Sequence, residues 1–195
     1  MSTLKLFRTG RSEGRTTYSK GVLIALLVIF TATLCVTGPL ALPIGKTPIT
    51  LSVFVLVAAG YLLGPLWSLV PVAAYILLGA AGLSVFSGRA GGVSILFGPT
   101  GGYIFGWLLI AFLTGLFANR FRNPLIQFAG VLAGELAFYI AGVVWYMAVS
   151  KAIFVIAILF GVLSFLVSNL IQGIAGFLVG FVLHRLLPHA PAKKG

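Results

Sequence analysis

A chain of 195 residues that is 60% hydrophobic, only 8% charged and of mean hydropathy +1.16 is not a soluble domain, which carries about 25% charged residues. Its net charge of +11 does not indicate nucleic acid, because the basic residues flank apolar runs and form no stripe on a polar face. The composition predicts an all-α integral membrane bundle of six transmembrane helices, since each crossing takes about 20 apolar residues and six of them leave only short loops.

A basic tail over 1–20 precedes the first predicted span, about Gly21–Val36. No small-residue cleavage site follows it, so it reads as a retained helix and not as a signal peptide. The Pro- and Gly-rich loop "TGPLALPIGKTP" leads to a second span, about Ile49–Leu63, which stops at the tight punctuation "GPL". A third span covers about Leu66–Leu83. The long loop "SVFSGRAGGVSILFGPTGG" comes next, then a fourth span, about Tyr103–Ala118, ending at "NRFRNP". The fifth covers about Leu125–Val149. The last apolar stretch, Ala152–Leu187, has 36 residues, too many for one ordinary span. It predicts a short helix over Ala152–Leu163, a bend, and a sixth span over Ser168–Leu187. The bundle then occupies 21–187 as a single membrane domain, with a short tail over 188–195.

Lys and Arg concentrate on cytoplasmic loops. With both termini cytoplasmic, the inner segments hold Lys5, Arg8, Arg11, Arg15, Lys20, Arg120, Arg122, Arg185, Lys193 and Lys194. The outer loops hold only Lys46, Arg89 and Lys151. An even number of spans gives this asymmetry, and it turns the "FGPTGG" loop outward. Turn chemistry gathered on the outer loops suits a cavity open to the outside of the cell membrane.

Chemistry-bearing residues are few. Glu13 lies in the basic tail, and Glu135 lies within the fifth span, where a charge costs at least about 2.5–3.5 kcal/mol. Glu135 is therefore a functional candidate, weighed against a buried structural carboxyl. There is no Asp, and His184 and His189 both fall at the C-terminal membrane edge, so no aspartyl dyad, Ser–His pair or metal set assembles. No Walker-type glycine loop occurs. Cys35 sits in an apolar run as a small hydrophobe. Catalysis, metals and cofactors are not expected. An apolar pocket with a few placed polar groups fits better, and the candidates are Arg89, Thr100, Tyr103, Glu135, Tyr139, Asn169 and Gln172. Asn169 and Gln172, three apart, share a helix face and offer donors and acceptors; bonding between helices is the alternative. Gly102-x-x-x-Gly106 and Gly176-x-x-x-Gly180 signal close helix packing.

Several stretches together resemble one family. "LPIGKTPITL", "GYLLGPLWSLVPVAAYILLGAAGLSVFSGRAGG", "LFGPTGGYIFGW", "GELAFYIAGVVWYMAV" and "LFGVLSFLVSNLIQGIAG" are similar, over about Ala41–Gly180, to BioY, the biotin-specific membrane subunits of energy-coupling-factor (ECF) transporters. The resemblance implies a six-helix S-component that captures biotin from outside. It also implies partners: a transmembrane coupling protein and two cytoplasmic ATPase subunits. The subunit would topple in the bilayer to release its ligand inside. The turn Gly98, Pro99, Thr100, Gly101, Gly102 and Tyr103 would then wall the biotin pocket, its glycines letting backbone approach the ligand.

The chain also departs from that family. Its members usually read P-F-x-x-G-D-L-x-K where this chain has "SFLVSNLIQ", so Asn169 and Gln172 stand at the acidic and basic pocket positions. Both charges go together, which leaves no unpaired ion. Asn169 can still bond a ureido group, and Arg89 is the outward cation nearest to replace the lysine. Gln often occupies the Ser52 position, and the helix-1 Ala-x-x-x-Ala face is here Ala25 followed by Ile29. A paralogue for another small amphipathic ligand, or a membrane scaffold that transports nothing, are the alternatives.

Overall fold

The computed structural model describes residues 18–40, 42–44 and 47–186, without side-chain detail at 42–44, 47–49, 160 and 185. The basic tail as far as residue 17, Lys46, the Arg185 side chain, and the C-terminal segment from Leu187 through His189 and the tail lie outside the described residues.

α1 spans Lys20–Thr37 and buries only Leu34. It sits at the rim, held through α3 and α2. A short antiparallel hairpin follows, β1 Leu42–Ile44 with β2 Thr47–Ile49, in a segment predicted as plain loop. Three-residue strands are below the length at which alternation is readable. α2, Ser52–Trp67, carries the predicted break: Gly64 has φ +76°, ahead of Pro65. Both residues end regular helix there, one by a conformation other residues avoid and one by its missing N–H. α3, Leu69–Ala80, leaves at 102° to α2. A 3-10 turn, Ser87–Arg89, and the one-turn α4, Val93–Leu96, occupy the long loop.

α5 is Gly101–Arg120, starting two residues before the predicted Tyr103. α6 is Pro124–Ser150, with Pro124 in its first turn and Asn123 as cap, whose Oδ1 accepts from the Leu125 N–H at 2.9 Å. The final stretch corrects the prediction. α7, Phe154–Ile158, a π-helical segment, Leu159–Leu163, and α8, Ser164–Leu186, run as one apolar helix, and the expected bend is absent. No proline interrupts it, and one wide turn absorbs the mismatch without breaking the helix.

Among the described residues four helices are long and apolar enough to cross a membrane, and the bent α2–α3 pair makes a fifth. The six predicted spans are thus not all long enough singly. α3 has 12 residues, about 18 Å of rise against a hydrocarbon core of about 30 Å.

α5 packs most extensively on α6, then on α2, and α2 also packs on α8. Glycines make these crossings close. A Cβ on Gly115 would stand 2.6 Å from the Gly64 carbonyl carbon, and one on Gly106 would stand 3.0 Å from the Phe138 ring. One on Gly176 would stand 2.8 Å from the Phe54 carbonyl oxygen, and one on Gly180 2.7 Å from Tyr61 Cβ. Both predicted small-residue pairs therefore lie in helix contacts. Lipid is as apolar as leucine, so such backbone-to-backbone packing is a main source of cohesion between helices.

Candidate ligand site

Polar side chains converge where α5, α6 and α8 meet. Glu135 and Tyr139, one turn apart on α6, and Asn169 on α8 are buried at 4%, 6% and 6% exposure. Tyr103, from the first turn of α5, joins them: the Asn169 side chain hydrogen-bonds the Tyr139 phenol, and Glu135 and Tyr103 lie within electrostatic reach of it. Aromatic rings frame the group. Tyr103 meets Phe138 edge-on with centroids 5.4 Å apart, and Phe165 lies 6.3 Å away.

Small residues admit these side chains. A Cβ at Gly142 would strike the Tyr103 ring, one at Gly161 its hydroxyl, and one at Gly173 the Glu135 Oε1. Two buried atoms of this cluster, Tyr103 Oη and Glu135 Oε1, have no hydrogen-bond partner. Leaving a buried polar atom unpaired costs about 1–3 kcal/mol. Ser52 Oγ on α2 and Thr114 Oγ1 farther along α5 are orphaned as well; the α5–α6–α8 cluster is distinguished by joining two such atoms to the buried Tyr139 and Asn169.

Gln172 is nearby but occupied. Its Nε2 donates to Ser168 Oγ at 3.0 Å and its Oε1 accepts from the Phe54 N–H at 3.4 Å. That N–H is one of the free donors in the first turn of α2, whose N-cap, Leu51, has no side chain to satisfy them. The first contact stays within α8 and the second joins α8 to α2.

The "GPTGG" turn lies at the end of the bundle above Tyr103. The Trp145 indole N–H donates to the Gly98 carbonyl at 2.9 Å. Gly101 fits against the Leu96 carbonyl and Gly102 against Trp145. The close approach these glycines permit is that of neighbouring protein. Pro99 and Thr100 are exposed, and so is Arg89, at φ +59° in the loop. The structure brings together Tyr103, Glu135, Tyr139 and Asn169; it leaves Arg89, Pro99 and Thr100 on the surface. An open apolar groove of about 470 Å³ lies elsewhere, between α5 and α6, lined in part by Leu109, Ala141 and Trp145.

A family model, the BioY family, matches residues 11–189. The chain belongs to the BioY family. Among its relatives are the biotin transporter BioY of Thermotoga maritima, 43% identical over 59% of this chain and 68% of that one, and the probable biotin transporter BioY of Pyrococcus horikoshii, 31% identical over 80% and 92%. The crystal structure of the S-component for biotin from an ECF-type ABC transporter superposes with a TM-score of 0.67 at 27% identity, covering 87% of this chain and 94% of that one.

Sequence reasoning about this BioY-family chain missed one polar centre. Gln127, near the start of α6, accepts from the Tyr61 hydroxyl at 2.8 Å and donates to the Phe121 and Ala118 carbonyls at 2.6 and 3.4 Å. It joins α2, the end of α5 and α6 at the far end of the bundle from Trp145. Its only sequence signal was an amide in an apolar run.

Proposed function

We propose that this BioY-family protein is a biotin-binding S-component of an ECF-type transporter, taking biotin from outside and delivering it inward. The observation that carries the site is the meeting of two orphaned polar atoms, Glu135 Oε1 and Tyr103 Oη, with the buried Tyr139–Asn169 pair, framed by aromatic rings and seated against glycines. Biotin pairs a urea ring, rich in donors and acceptors, with apolar carbon and a carboxylate. The ring suits the cluster, and the exposed Arg89 is the cation for the carboxylate. Energy would come from a coupling protein and two ATPase subunits; the similar solved S-component is described as coming from an ECF-type ABC transporter.

Six crossings within one membrane domain over 21–187 fit the contacts at the two ends of the bundle. Gly38, just past α1, sits against the Val85 carbonyl and the Tyr75 hydroxyl, and the Gly92 N–H bonds the Gly79 carbonyl at the end of α3. At the other end Gly64 touches Asn119. The bent pair α2–α3 thus goes in and returns. Both termini then share one side, with Lys20, Arg120 and Arg122; Arg89 and Lys151 take the other. This charge bias supports cytoplasmic termini.

Protein purified in detergent should retain biotin through dialysis, and Arg89→Ala should weaken biotin more than biotinamide. A protein that retains no biotin in equilibrium binding rules the reading out, and equal losses for the two ligands remove Arg89 from it.

A further inference from the structure

We propose that Glu135 is a specificity-determining residue that accepts a hydrogen bond from a ring N–H of the ligand, with Gly173 the position that admits its carboxyl oxygen. The inference rests on the biotin reading above and adds which group of the ligand goes where.

Several buried polar side chains in this bundle find partners, though Ser52 and Thr114 do not. Gln127 uses its amide on Tyr61 and two carbonyls, Gln172 on Ser168 and Phe54, and Ser68 Oγ donates to the Ala111 carbonyl at 3.2 Å. Glu135 is as deeply buried as these, yet its Oε1 has no partner. That atom is turned towards α8, where a Cβ at residue 173 would overlap it. A carboxyl placed only for packing gains nothing from a glycine cut to fit its oxygen.

The chemistry of the orphaned atom selects the ligand group. A carboxylate oxygen only accepts, and a protonated carboxyl still keeps an accepting oxygen. The ligand carboxylate is itself an acceptor and cannot satisfy it. A urea N–H can. The urea carbonyl then needs donors, and the Tyr103 hydroxyl, which has no partner, and the neighbouring Tyr139–Asn169 pair supply them. The urea ring therefore enters the cluster, and the carboxylate end points away from Glu135.

The test compares dissociation constants for biotin and for biotin methylated on either ring nitrogen, on purified full-length protein. In the wild type, methylation of the bonded nitrogen should weaken binding on the order of tenfold or more, as expected for loss of one charge-assisted hydrogen bond. In Glu135→Ala that preference should fall towards one. A preference unchanged by Glu135→Ala, with biotin still bound, overturns the inference and leaves the biotin reading standing; a wild type that binds no biotin overturns both. If Glu135→Ala does not fold, Gly173→Ala, which displaces the same oxygen, gives the answer: the preference shrinks if the inference holds and persists if it does not.

Discussion

At the scale of single residues, the bundle sorts its polar side chains into paired and unpaired. Gln127 is the most fully used, with its carbonyl and amide both engaged and three backbone or phenol partners. Gln127→Leu keeps the volume but strands the Tyr61 hydroxyl and the Phe121 carbonyl. It should cost about 2–3 kcal/mol, the range for orphaning buried groups, seen as a lower thermal midpoint in detergent with biotin binding retained. An unchanged midpoint would show the network to be idle. Sequence alone named Glu135, Tyr139, Tyr103 and Asn169 as candidates, because a polar group in an apolar span is conspicuous, and the structure brings these four together. Sequence could not separate Gln172, which is engaged with α2, from Asn169, because the Phe54 N–H that occupies Gln172 lies 118 positions away along the chain.

At the scale of elements, backbone punctuation was readable and side-to-side geometry was not. Gly64–Pro65 and Asn123–Pro124 are local signals, and they stand where the chain breaks and restarts. The π-helical turn at Leu159–Leu163 and the three-residue strands have no such signature, so the bend predicted after Leu163 was absent and the hairpin unforeseen. Glycine spacing foretold close crossings without naming the partner helix. The α2–α5 crossing gives the sharpest check. Gly115→Ala pushes a methyl onto the backbone at Gly64 and Pro65, and should cost about 1–3 kcal/mol as overpacking does. Gly21→Ala, exposed and with nothing within 4 Å, should stay within about 0.5 kcal/mol of the parent. Thermal melts of the two variants side by side test this; equal losses would deny the crossing its role.

At the scale of the whole molecule, the all-helical membrane class followed from composition alone, and the family resemblance extended to the match over 11–189. The number of crossings was harder, since a 12-residue helix is neither clearly a span nor clearly a loop. Orientation is open to direct measurement. In a Cys35→Ala background, Pro99→Cys should react with a membrane-impermeant maleimide added to intact cells, while Phe121→Cys should react only after permeabilisation. The reverse pattern would place the Trp145 end of the bundle in the cytoplasm and end the uptake reading. The Gln127 knot bears on how delivery could then occur. It stitches three helices together at the end remote from Trp145. If ligand enters at the Trp145 end, as the proposed function has it, parting α2, α5 and α6 at the opposite end would first have to break the Gln127 hydrogen bonds.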